Sequence, residues 1–273
     1  MTTQPSSIVL LGAGKMGFAL LQGWADLGLV GAHVAVIEPS PTPELSALCA
    51  AHGARLNPAE PGLAPPDSLV LAIKPQMLDA AAPRIARLAG PGTLIVSILA
   101  GKATADILAR APEAAGVVRA MPNTPAAIGR GITGAAASAG VTGAQRRTAD
   151  TLLSAVGKVE WLLDESLIDA VTAVSGSGPA YVFLLAECLA EAGRAAGLPA
   201  ELAGRLARAT VEGSGELMHR SPDVAPAQLR INVTSPGGTT EAALGVLMAD
   251  NGLNPLMMRA VAAALARAKA LSG

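Results

Sequence analysis

Aromatic side chains are nearly missing from this chain, with two Trp, two Phe and one Tyr among 273 residues. Five rings cannot build a base-stacking platform. The 20 Lys+Arg are matched by 21 Asp+Glu, so there is no basic footprint for a polyanion either. Nucleic-acid binding is disfavoured on both counts. Cysteine is as scarce: Cys49 and Cys188 are too few and too far apart for a disulfide framework or a metal site. Both are expected as reduced, buried thiols. Long apolar runs are absent too; Ala180–Ala186, between Pro179 and Glu187, falls short of a membrane span. No basic residue precedes the short apolar run Ile8–Leu11, so no signal peptide is expected and the protein reads as soluble and cytoplasmic.

What is present is alanine, about a fifth of the chain, within a hydrophobic fraction of 51%. The core must be built from Ala, Leu, Val and Ile, whose small size lets helices approach closely. Length suits two modest domains or one large one. In the first half, short apolar runs alternate with helical patterns. Strands are expected at Ile8–Leu11, Val34–Ile37, Ser68–Ile73, Thr93–Ile98 and Gly116–Ala120, with an edge strand at Ile132–Ala137. Helices are expected through Leu27 and at Pro43–Ala51 (with Ser40 as a cap), Leu78–Leu88 and Thr104–Ala111, and another from Thr142 through Ala155 with capping-box spacing at Thr142 and Gln145. This alternation means βαβ units and a parallel sheet. After about Leu163 strand signals vanish and helical periodicity takes over, at Leu167–Val174, Ala180–Ala196, Glu201–Met218, Thr240–Ala249 and Pro255–Leu271. The fold class is therefore α/β over residues 1–163, followed by an all-α domain over 164–273.

The segment GAGKMG at 12–17 fits G-x-G-x-x-G, follows a strand and opens a helix. Gly12, Gly14 and Gly17 let backbone approach a pyrophosphate, whose charge sits on the helix N-terminus. Glu38 ends the second strand, where an acidic side chain accepts hydrogen bonds from ribose hydroxyls and repels a 2′-phosphate. No Arg or Lys lies between Lys15 and Arg55, leaving only Ser40 and Thr42 as donors there. This pattern favours NADH.

A second glycine-rich helix start, Thr234 to Glu241, has the make-up of an anion nest sized for a small carboxylate or phosphate. A third turn, Ser175-Gly176-Ser177-Gly178-Pro179, reads equally as a capping segment. Asn123, between Pro122 and Pro125, and Lys74 each follow a strand end, where open α/β sheets bind ligands. Each fits a ligand contact or an ordinary loop residue. His33, His52 and His219 have no partners at metal or triad spacing. No obvious general acid is left. Hydride transfer to a ketone needs a proton donor, whereas transfer to a protonated imine does not.

The ordered motifs GAGKMG at 12–17, LAIKPQ at 71–76, VRAMPNTP at 118–125, AVSGSGPAY at 173–181 and TSPGGTTEAAL at 234–244 resemble the pyrroline-5-carboxylate reductase family, essentially end to end. The resemblance implies an N-terminal Rossmann-type domain and an all-α C-terminal dimerisation domain. It implies reduction of the C=N bond of 1-pyrroline-5-carboxylate to L-proline, with NADPH or NADH. It implies homodimers with intertwined helical halves, assembled in some members into decamers. Gly12, Ala13, Gly14, Lys15, Met16 and Gly17, with Glu38, Ser40, Ala72, Ile73, Lys74, Pro75 and Ala100, would then contact the cofactor, and Asn123 would lie by the nicotinamide. Ser235, Gly237, Gly238, Thr239 and Thr240 would receive the substrate carboxylate. Thr240 matches the family threonine that hydrogen-bonds the ring nitrogen, and Glu165 and Asn232 match further positions near the substrate. Ile231 departs from the acidic residue common in the family just before the substrate loop.

Two other readings compete. A β-hydroxyacid dehydrogenase shares the layout but needs a catalytic lysine in the helical half. The lysines are Lys15, Lys74, Lys102, Lys158 and Lys269, so the first helices after the boundary have none. A non-catalytic NAD(H)-sensing module would have no need of the carboxylate nest.

Overall fold

Short runs rich in Ile, Val and Leu, such as Ile8–Leu11, are long enough for a buried strand and too short for a helix. In the computed structural model, which describes residues 6–59 and 62–272, such runs pair into one eight-stranded sheet. Its strands are β1 (Ile8–Leu11), β2 (Val34–Ile37), β3 (Arg55–Leu56), β4 (Ser68–Leu71), β5 (Leu94–Ser97), β6 (Gly116–Met121), β7 (Gly131–Ala137) and β8 (Gly157–Trp161). The order is β3-β2-β1-β4-β5-β6-β7-β8, parallel throughout except between β6 and β7. The chain runs outward from β1 to one side and then outward from β4 to the other. The sheet thus has its switch point between β1 and β4. The strand expected at the edge, β7, is covered on its outer side by β8, which the apolar pattern does not reveal.

Five helices follow strands: α1 (Lys15–Asp26), α2 (Pro43–His52), α3 (Leu78–Leu88), α4 (Thr104–Leu108) and α5 (Gly143–Ser154). Thr42, not Ser40, caps α2, its hydroxyl accepting the Leu45 N–H at 3.2 Å. The Thr142–Gln145 capping box on α5 forms as its spacing requires. Both faces of the central strands β1, β2, β4 and β5 are buried, which is why these strands carry no charge. Ile8 and Leu10 pack with Leu20, Leu21 and Trp24, whereas Val9 and Leu11 pack with Leu78, Ile85 and Leu88. Trp24 is fully buried, and its indole N–H donates to the Leu152 carbonyl at 2.8 Å, pinning α1 to α5. Trp161 on β8 has the Arg146 guanidinium 4.4 Å over its ring and donates to Asp150 at 2.8 Å.

Past β8 come α6 (Ile168–Val171) and a π-turn, Thr172–Gly176. Ile168 is buried against Met121 and Ala136, so α6 is part of the sheet unit's packing. By internal contacts this unit runs through Gly176 and includes the chain from Leu265 onward. The second unit, Ser177–Ala264, holds α7 (Gly178–Ala195), α8 (Ala200–Arg220), α9 (Pro226–Asn232), α10 (Thr239–Leu247) and the start of α11 (Leu253–Ser272). The short helix α9, which begins at a proline, lies outside the elements expected from periodicity. Among the described residues of this unit only Ala203 and Ala207 are buried.

The large apolar side chains exposed in the chain are concentrated here. All but Leu27, Met77 and Ile128 lie at or beyond Leu163, and Phe183, Leu184 and Leu185 of α7 are each more than half exposed. Cys49 is buried, as expected, and burial raises its thiol pKa. Cys188 is exposed, contrary to expectation, because none of the described residues covers that face of α7. One described run, Glu165–Ala195, meets the length and apolar composition of a membrane span. The Pro179 and Glu187 boundaries do not end it, since proline fits the first turn of α7. It nonetheless carries Glu165, Asp169, Glu187, Glu191 and Arg194.

Candidate active site

The fingerprint loop leaves β1 at the switch point. Gly12 has φ +91°, and a Cβ there would lie 2.7 Å from the Ile73 nitrogen and 2.8 Å from the Ala72 carbonyl. Only glycine allows both this conformation and this approach. Gly14 caps α1 with no side-chain hydrogen bond, and a Cβ there would meet nothing within 4 Å, so the helix N-terminus opens onto free space. The first N–H groups of α1 have no intrahelical acceptors. A cavity of about 820 Å³ adjoins this loop, bordered by Gly12, Gly14, Glu38, Ser40, Ile73 and Lys74. Glycine where a Cβ would collide, open amides and a cavity of nucleotide size together fit a dinucleotide. Ala72 also borders it, while Lys15, Met16 and Gly17 form the first turn of α1.

Glu38 is held in place from several sides. Its carboxylate accepts the Ala13 N–H at 2.8 Å and the Ser40 N–H at 3.1 Å. Its backbone is clasped by Asn57, whose amide accepts the Glu38 N–H at 2.9 Å and donates to the Glu38 carbonyl at 2.8 Å. Asn57 lies just past β3, too short a strand to be seen in the sequence. Two cations that sequence proximity does not reveal, Arg84 and Arg87 of α3, border the same cavity.

Asn123, buried at the end of β6, accepts the Ile132 N–H at 2.9 Å and donates to the Ser175 carbonyl at 3.2 Å. Its amide thereby ties β6, β7 and the π-turn together, and one N–H remains uncommitted. The serine-glycine turn is thus more than a helix cap. Glu165 accepts the Thr104 N–H at 2.8 Å, the Thr104 hydroxyl at 2.6 Å and Arg119 at 3.2 Å. Arg119, nearly buried, also reaches Asp169 at 3.4 Å. Most of the Glu165 carboxylate is therefore engaged within the sheet unit. Ala100 is exposed at the end of β5.

The nest belongs to the helical unit. Gly237 turns the chain with φ +70°, and Gly238 caps α10 with extended backbone and no side-chain hydrogen bond. Thr239, Thr240 and Glu241 are the first three residues of α10, whose N–H groups have no intrahelical acceptors. The Gly237 N–H is met by the Glu241 carboxylate at 2.7 Å, and the Ser235 carbonyl accepts the Gly238 N–H at 3.0 Å. Asn232 ends α9 and accepts from Gln228 at 2.8 Å. Neither unit holds a group of acidic, His or Cys side chains suited to a metal among the described residues.

Residues 165–271 match the family described as pyrroline-5-carboxylate reductase dimerisation, and residues 7–101 match one described as NADP oxidoreductase, coenzyme F420-dependent. The chain is 42% identical over 267 residues to a pyrroline-5-carboxylate reductase of Pseudomonas aeruginosa, covering 97% of this chain and 96% of that one. The chain belongs to the pyrroline-5-carboxylate reductase family. The solved pyrroline-5-carboxylate reductase of Coxiella burnetii superposes with a TM-score of 0.90 at 35% identity, covering 98% of this chain and 99% of that one. The Plasmodium falciparum pyrroline carboxylate reductase, solved with NADP bound, gives 0.79 at 28% identity over the whole of both chains. The Glu165–Ala195 run and the exposed apolar face of α7 lie within the matched dimerisation region, and the protein is a homo-oligomer.

Proposed function

We propose that the chain reduces the C=N bond of 1-pyrroline-5-carboxylate to L-proline with NAD(P)H, the last step of proline biosynthesis. The observation that carries this is near-complete coverage by a 42% identical reductase, on a fold with both an open fingerprint loop and a second glycine-rich helix start at α10. Bound NAD(P)H supplies a hydride to the imine carbon. The substrate nitrogen is protonated beforehand, so the reduction turns an iminium into a neutral amine and demands no strong acid of the protein.

The chain's own residues then bind and orient. The GAGKMG loop at 12–17, Ala72 to Pro75 and Ala100 hold the cofactor, Glu38 and Ser40 its adenosine end, and Asn123 borders the nicotinamide. Ser235, Gly237, Gly238, Thr239 and Thr240 surround the substrate carboxylate, which the first N–H groups of α10, at Thr239 and Thr240, receive. Thr240 hydrogen-bonds the ring nitrogen, while Asn232 and Glu165 shape the substrate surroundings. Residues 1–163 serve the cofactor, and 164–273 serve substrate and dimerisation. The helical halves intertwine in a homodimer that assembles into a decamer, in the cytoplasm.

Reduction of pyrroline-5-carboxylate, assayed with NADH and NADPH in parallel, tests this reading; no turnover with either ends it. Thr240→Ala is expected to lower kcat/KM by about ten- to a hundredfold, the worth of one hydrogen bond to a charged group, with cofactor affinity unchanged. Unaltered steady-state turnover would remove Thr240 from the mechanism.

A further inference from the structure

The cavity beside the fingerprint loop is bordered by two arginines in addition to the helix N-terminus that suits a pyrophosphate. Pyrophosphate charge is met by the open N–H groups at the start of α1, which no side chain caps. Arg84 and Arg87 nevertheless border the same cavity as Glu38 and Ser40. Their i, i+3 spacing puts them on one face of α3, with Ala80 one turn before Arg84 on that face. Ala80 also borders the cavity, so this face passes from a small apolar patch to a pair of guanidinium groups. An apolar patch suits a flat heterocycle. Planar guanidinium forks suit phosphate oxygens.

Glu38 alone would argue against a second phosphate. Its two carboxylate oxygens, however, already accept the Ala13 and Ser40 N–H groups. Its charge is thus partly answered by backbone, and two guanidinium groups border the same cavity. The Ser40 side chain, on the same rim, adds a hydroxyl donor.

We infer that Arg84 and Arg87 receive the adenosine 2′-phosphate of NADPH, so that α3, and not the segment after β2, sets the phosphate preference of the enzyme. The inference rests on the cavity being the cofactor site proposed above. A dianionic 2′-phosphate of about −1.5 to −2 charge would find both forks within one turn of helix.

Binding of two probes without nicotinamide, 2′,5′-ADP and 5′-AMP, measured by calorimetry, tests it. Wild-type protein is expected to hold 2′,5′-ADP about tenfold or more tighter, one charge-assisted hydrogen bond's worth. Arg84→Gln with Arg87→Gln should erase this preference while leaving 5′-AMP affinity unchanged. In turnover the KM for NADPH should rise and that for NADH stay level. The charge-conserving pair R84K and R87K should recover part of the preference. A double variant that keeps the preference overturns the assignment, and so does one that loses both probes alike. Wild-type protein that binds neither probe nor NADH overturns the cofactor reading itself.

Discussion

The sheet unit and the helical unit draw on the same alanine-rich composition and use it in opposite ways. In the sheet unit β1, β2, β4, β5 and β6 are buried at every position, and helices close both faces. In the helical unit only two alanines are buried among the described residues, while Phe183, Leu184 and Leu185 face outward. A stretch of that size without a core cannot offset its own conformational entropy. The difference teaches that one unit is complete in a single chain and the other is half of a structure. Fold class is a property of the chain; the core of the second unit is a property of the assembly.

The comparison breaks most severely at Trp24. Replacing it with Ala should remove about 3–5 kcal/mol from the sheet unit, as large-to-small core changes do, and also leave the Leu152 carbonyl without its donor. Urea unfolding followed by circular dichroism checks this, and the loss should not depend on protein concentration. Phe183→Asp comes next. It should weaken association between copies by about thirtyfold or more, a hot-spot-sized loss of about 2 kcal/mol, read by sedimentation. Stability of this variant should fall with dilution, since association and folding are linked. Binding of 5′-AMP to its sheet unit should persist.

The smallest effect lies where the strands give way to helices. Asp164 accepts the Ser166 backbone N–H at 2.8 Å, and that hydrogen bond, with a further one from the Ser166 side chain, holds its carboxyl below the ordinary aspartate value. A lowered folded pKa means that its stabilising contribution is present above the unfolded value and fades as pH falls through the folded one. Asp164→Ala should therefore be slightly less stable than wild type near neutrality, and the two should converge in acid. A gap that widens in acid would reverse the sign.

Much of the fold is legible in the sequence alone. Four-residue apolar runs bounded by glycine or a helical pattern mark β1, β2, β4 and β5, and the fingerprint loop marks the switch point. The amphipathic strand β8, Gly-Lys-Val-Glu-Trp, alternates in exposure because it closes the sheet at an edge, and its charges conceal it. Two-residue β3 is below the length at which any pattern exists. Asn57 could not be linked to Glu38, nor Arg84 and Arg87 to the cofactor cavity, because tertiary folding alone joins them. The nest is legible as a glycine-hydroxyl helix start, whereas the docking of Glu241 onto Gly237 depends on side-chain geometry. Cys188 reads as a core thiol because most of its sequence neighbours are apolar, although the chain itself leaves it exposed.

The placement of the two indoles has a practical consequence. Trp24 and Trp161 both belong to the sheet unit, and the helical unit has Tyr181 but no tryptophan. Intrinsic tryptophan emission is therefore a private channel for one half of the molecule, while ellipticity sums over both. If the helical halves separate and melt on dilution before the sheet opens, ellipticity will fall first and emission will stay constant. The scarcity of aromatics thus makes the protein a natural two-channel reporter of its own assembly.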